Sequence, residues 1–95
     1  MEITAAIQSK ALISFDYDGY RRVVEPHTLG IDLKGHKALC AYQVSGGSSS
    51  GESRGWKLFH VDEMRGVTTL PETFSSARSG YRRGDTRFTT IYAQL

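Results

Sequence analysis

The chain has 95 residues, 39% hydrophobic and 23% charged, with a formal net charge of +2. That size predicts one domain with one modest core, and no apolar run approaches the ~20 residues that cross a bilayer. The opening residues, MEITAAIQSKAL, lack the basic start and long apolar stretch of a secretory signal, and Cys40 stands alone, which excludes an intrachain disulfide and fits a reducing, cytoplasmic setting.

Residues 1–10 read as a short helix, because Ile3, Ala6 and Ile7 form an apolar stripe and Lys10 suits the negative end of the helix dipole. ALISFDY (11–17) and YRRVVEP (20–26) follow as two strands. Asp18-Gly19 between them supplies the positive φ angles of a tight two-residue turn. Pro26 cannot donate to a ladder and is expected to end its strand or lie on an edge. Residues 27–35 read as a connection with a short extended piece, closed by a turn at Lys34-Gly35. KALCAYQV (37–44) alternates as a strand and places Ala38, Cys40, Tyr42 and Val44 on one side. The Gly/Ser-rich VSGGSSSGESRGW leads into WKLFHV (56–61), a further strand pattern. Asp62 to Gly66 reads as a bend, VTTL (67–70) as a strand stopped by Pro71, Phe74 as a core anchor and FTTIYA (88–93) as a last strand. One short helix and five or six short strands predict a mainly β chain, a small antiparallel barrel or sandwich.

The Gly/Ser stretch lacks the Lys-Ser/Thr pair of a Walker loop and the G-x-G-x-x-G of a dinucleotide loop, and it enters a strand rather than a helix. It reads as a long hairpin loop, with a mobile flap as the alternative. His27, His36, His60 and Cys40 show no metal-ligand spacing. The carboxylates form no pair placed for acid–base work, and no serine lies in a nucleophile elbow. The expectation is therefore a non-enzyme with no cofactor and no metal.

Basic and aromatic side chains are the candidate binding set: Arg22, Arg54, Lys57 and His60, with Tyr17, Tyr42 and Trp56. Guanidinium groups match phosphate or carboxylate geometry, and aromatic faces stack on bases. The structural alternative pairs Arg22 with Glu25 or Asp62 and puts Tyr42 and Trp56 in the core. Charge is uneven along the chain. Residues 1–75 carry eight Lys/Arg against nine Asp/Glu. Residues 76–95 carry Arg78, Arg82, Arg83 and Arg87 against Asp85, a secondary basic patch able to attract polyanions.

In order and spacing, several of these pieces match a family pattern. They are Ala6-Ile7, Tyr17, Arg22-Val23-Val24-Glu25-Pro26, Gly35, Leu39-Cys40-Ala41, Arg54-Gly55-Trp56-Lys57-Leu58 and Phe74. The chain from about Ile3 to Phe74 resembles the WYL domain of bacterial regulators. Of the tripeptide that names the family, only Leu39 is present. The resemblance implies an Sm/SH3-like β-barrel over residues 1–74 with a short N-terminal helix, and residues 75–95 as a basic C-terminal extension packed with the same domain. It also implies a ligand-sensing, regulatory role toward a nucleotide or single-stranded nucleic acid. The DNA-binding helix-turn-helix domain that usually precedes such domains does not fit within this chain, so regulation would run through a partner or through oligomerisation. The other functional expectation is a protein-interaction or oligomerisation module of a larger bacterial complex, with no membrane contact.

Overall fold

The computed structural model describes residues 2–95; Met1, which the sequence reading places in the helix, lies outside the described residues. Helix α1 (Glu2–Ser9) precedes six strands: β1 (Ala11–Tyr17), β2 (Tyr20–Asp32), β3 (Lys37–Gly46), β4 (Gly55–His60), β5 (Arg65–Thr73) and β6 (Phe88–Gln94). A short 3₁₀ turn, η1 (Val61–Glu63), joins β4 to β5. All pairings are antiparallel, in the order β4-β3-β2-β1-β5, with β6 also on β2. The chain is mainly β, with one short helix.

Local chemistry accounts for the hairpin and the helix end. Asp18 and Gly19 have φ of 51° and 79°, as the tight turn between Tyr17 and Tyr20 requires. Lys10, expected inside the helix, adopts φ 55° just past its end, and its N–H bonds to the Ile7 carbonyl. Its own carbonyl then accepts the Phe74 N–H at 2.9 Å, which ties β5 to the helix exit.

Two expectations are corrected by context. The strand predicted to stop at Pro26 runs on to Asp32, so most of the predicted 27–35 connection is strand. β2 changes neighbours there: its last pair with β1 is Val24↔Ile13 and its first with β6 is Thr28↔Gln94. On the β3 side, Pro26 pairs with Ala41 and Thr28 with Cys40, so His27 is the extra residue of a bulge. A proline costs little where the ladder is already interrupted. β5 runs through Pro71 because it ends the strand order and has a ladder only with β1.

The main core holds Ile3, Ile7, Ile13, Phe15, Val24, Leu29, Leu39, Ala41, Phe59 and Met64 beneath α1. β3 is covered on both faces: Leu39 and Ala41 point into this core, whereas Ala38 and Cys40 join Phe88, Trp56 and Ile91 in a smaller one. β6 supplies part of that second layer and closes on β2 at short range. A Cβ on Gly30 would stand 2.1 Å from the Thr90 carbonyl oxygen. Gly30→Ala must therefore displace β6 backbone, at an expected cost of about 1–3 kcal/mol. Thermal denaturation of this variant against the parent checks it: a Gly30 variant as stable as the parent would mean that β6 is only loosely attached.

Candidate functional site

The sequence-predicted binding residues fall into three separate places. The first lies at one end of the main core. Arg22 faces inward opposite Phe15 and is 3% exposed. Its Nη1 donates to Gln43 Oε1 at 3.3 Å and its Nη2 to the Tyr17 carbonyl at 3.1 Å. The guanidinium carbon lies 5.5, 5.8 and 5.7 Å from the ring centres of Tyr17, Tyr20 and Phe59. Arg22 forms no ion pair among the described residues, with Glu25, Asp62 or any other carboxylate, and its Nε has no hydrogen-bond partner. Ring quadrupoles offset part of the cost of a buried charge; the rest is uncompensated.

The Gly/Ser stretch begins directly beside this charge. Gln43 Nε2 donates to the Gly47 carbonyl at 3.1 Å, and a Cβ on Gly47 would meet the Tyr20 ring at 2.4 Å. Gly46, at φ 102°, lies so close to the Arg21 carbonyl that a Cβ would stand 2.1 Å away. The first glycines of the stretch are therefore fixed by close approach, and the rest closes the β3–β4 hairpin at Gln43↔Gly55. Lys57 shares the inward face of β4 with Phe59 by alternation. Its Nζ donates to the Glu52 carbonyl at 2.7 Å and approaches Ser48 Oγ at 3.4 Å. Arg54 donates to the Val44 carbonyl at 2.7 Å. Tyr17 and Arg22 thus border the start of the loop through Gln43, Lys57 is held by the loop itself, and Arg54 lies at the loop's far end against Val44.

Tyr42 and Trp56 lie on the opposite face, under the C-terminal extension, and contribute nothing to the Arg22 end. Trp56 Nε1 donates to the Ser79 carbonyl at 3.0 Å, and its ring meets His27 and Tyr42 edge-on. Arg78 grips both oxygens of the buried Glu25 carboxylate, at 2.8 and 3.1 Å, and lies 4.6 Å from the Tyr42 ring centre. Glu25 is thus taken by Arg78, not by Arg22. Arg87 holds Asp85 at 2.6 Å and reaches Cys40 Sγ at 3.3 Å, while Arg83 bonds the Leu95 carbonyl. Three of the four arginines proposed as a basic patch are tied to their own chain. Arg82 instead borders a cavity of about 350 Å³ with Trp56, Tyr81 and Cys40. Burial pushes the Cys40 thiol up, against the smaller opposing effect of Arg87, which keeps it a weak nucleophile.

His60 lies at a third place. Its ring reaches Glu63 Oε2 through Nδ1 at 3.1 Å and faces Asp32 Oδ2 through Nε2 at 4.0 Å. Its backbone N–H alone touches the first site, donating to the Tyr17 hydroxyl at 3.1 Å.

Sequence reasoning missed His27 as a fixing point. It is fully buried, stacked on Phe74, with Nδ1 2.8 Å from the Glu25 carbonyl and Nε2 accepting the Arg78 N–H at 3.1 Å. A carbonyl can only accept, so Nδ1 carries the hydrogen and the ring is neutral. Burial, the largest influence, holds its pKa below the ordinary 6.5. The unfolded ring therefore takes up its proton first. His27 contributes stability that is complete above pH 6.5 and is lost as the pH falls below that value toward the folded pKa. The melting temperature is expected to be flat above pH 7 and to decline between pH 7 and 5. His27→Phe, which keeps the stacking, should be less stable by about 1–3 kcal/mol at pH 7.5, with the Arg78 N–H unpaired, and should show a flatter profile. Equal declines in parent and variant, followed by circular dichroism, would place the titration elsewhere.

No protein-family model, curated protein or solved structure matches the chain.

Proposed function

We propose that the chain is a non-catalytic ligand-sensing module that binds an anion, a nucleotide or single-stranded nucleic acid, at the Arg22 end of the sheet. The observation that carries this reading is the buried guanidinium of Arg22, which has no carboxylate partner among the described residues and an Nε without an acceptor. A phosphate entering there would meet a charge already desolvated and fixed in direction by Gln43 and the Tyr17 carbonyl. Lys57 is held only by the Glu52 carbonyl and Ser48 hydroxyl of the Gly/Ser loop, so lifting the loop would free it for a further phosphate, and Arg54 would exchange only its bond to the Val44 carbonyl of β3.

On this reading the fold is an Sm/SH3-like barrel spanning residues 1–74, working in the cytoplasm with Cys40 reduced. The order β4-β3-β2-β1-β5, a leading helix and the 3₁₀ turn between β4 and β5 support it, as does the resemblance to WYL domains. No helix is long and apolar enough to cross a membrane. Docking to a protein partner or a second copy is the other reading. Among the described residues β4 and β6 each have one unpaired edge, with Leu58 and Tyr92 exposed, which speaks for it; Pro71 blunts β5.

Fluorescence anisotropy of a labelled random single-stranded oligonucleotide, at two salt concentrations and with a mononucleotide as competitor, tests the proposal. Three contacts, from Arg22, Arg54 and Lys57, give an expected log–log salt slope of about −2. Lys57→Ala and Arg54→Ala should each weaken binding and make the slope shallower while the fold is kept. Absence of saturable binding of either probe, or binding that responds only to Arg82→Ala, would overturn the assignment.

A further inference from the structure

The geometry points to a binding site for a divalent transition-metal ion, best suited to zinc, formed by Asp32, His36 and His60. The three come from the end of β2, the β2–β3 turn and the end of β4. Ala38 pairs with His60 and Lys37 with Ile31, so the register of three strands brings the turn and the β4 end together. The candidate donor atoms all lie within 4.8 Å of one another.

Each donor is prepared for the role. Asp32 Oδ1 is occupied: it accepts the N–H groups of Lys34 at 2.9 Å and His36 at 2.8 Å. Those bonds, the His36 one first, hold the carboxyl below its ordinary range, so it is a carboxylate at neutral pH. Oδ2 remains, 3.6 Å from His36 Nδ1 and 4.0 Å from His60 Nε2. His60 Nδ1 points at the Glu63 carboxylate, 3.1 Å away. A carboxylate accepts, so Nδ1 carries the hydrogen, which leaves Nε2 as the ring nitrogen that faces Asp32 Oδ2. A metal ion satisfies all three donors at once. The Glu63–His60 contact then matches the carboxylate–histidine pairing that orients metal-bound imidazoles.

Distances and donor type select the ion. Tetrahedral bonds of about 2.0–2.1 Å put donors about 3.4 Å apart, so the Asp32 contacts are already near that spacing. The larger adjustment is at the 4.0 Å contact of His60, while His36, 53% exposed on a turn, is free to follow. Two imidazoles and one carboxylate suit zinc and its neighbours rather than magnesium or calcium, which favour all-oxygen sets. A fourth position is left for water.

Isothermal titration of the chelator-treated full chain with zinc chloride at pH 7.5 tests this, with cobalt(II) absorption as a second readout. Expected are one saturable site, tetrahedral cobalt bands in the visible and a rise in melting temperature with zinc. His36→Gln and His60→Gln should each lower the affinity at least tenfold without changing the circular dichroism spectrum. Asp32→Asn, whose amide oxygen can still hold the turn, should do the same. Glu63→Gln should cost about 10–100-fold as an orienting contact, and Asp62→Asn should cost little. Zinc binding that survives both histidine substitutions, is abolished by Asp62→Asn, or fails to saturate would overturn the proposal.

Discussion

The interruption of β2 at Pro26 and His27 is the constraint on which the rest depends. A thirteen-residue central strand cannot keep one neighbour along its whole length when β1 offers seven residues. The change from β1 to β6 has to fall somewhere, and it falls where a proline has no N–H to offer. The bulge takes His27 out of register, so a buried imidazole meets the Glu25 carbonyl on one side and the Arg78 N–H on the other. From that point the C-terminal segment is bound: Arg78 closes on Glu25, Ser79 accepts from Trp56, and β6 lies along the second half of β2. Removing the bulge would take away the His27 ring that the Arg78 N–H is bonded to.

Three arginines show how the same side chain is stabilised in different ways. Arg78 and Arg87 each hold a largely buried carboxylate by more than one hydrogen bond. Both are satisfied ion pairs whose loss would strand a charge. Arg22 is more buried than either and has rings, an amide and a carbonyl in place of a counter-ion. Desolvating a cation costs far more than neutral acceptors return. The deficit at Arg22 is thus a debt that an incoming anion would settle, and no comparable vacancy exists at Arg78 or Arg87.

What could be read in the sequence was local. Asp18-Gly19 specifies its turn through backbone preference alone, and the alternation of β3 gives the burial of Cys40. The continuation of β2 was not legible, because Pro26 and the polar His27 and Thr28 read as an exit until β6, some sixty residues later, supplies a partner. The burial of Arg22 without a carboxylate was not legible for a similar reason. Alternation puts it on the face of Val24, but that this face stays covered at its end depends on Gly46 and Gly47 letting the loop lie against Tyr20. Tyr42 and Trp56 were grouped with Arg22 by composition; strand parity puts them on opposite faces. His36 and His60 show no ligand spacing because their proximity is set by register across β2, β3 and β4, which no local motif encodes.

Tyr17 joins the two proposed sites. Its carbonyl accepts from Arg22 Nη2 and its hydroxyl accepts the His60 N–H. Its ring is clamped edge-on by Phe15 and Phe59, so it has little freedom to follow one partner and release the other. The His60 side chain belongs to the proposed metal site, while its backbone N–H fixes the Tyr17 hydroxyl. Displacing the Arg22 guanidinium toward an anion loosens the Tyr17 carbonyl at the other end of the same residue. Any energetic link between the two sites is reciprocal by linkage, and the rigid, packed ring of Tyr17 is the shortest route along which it can pass.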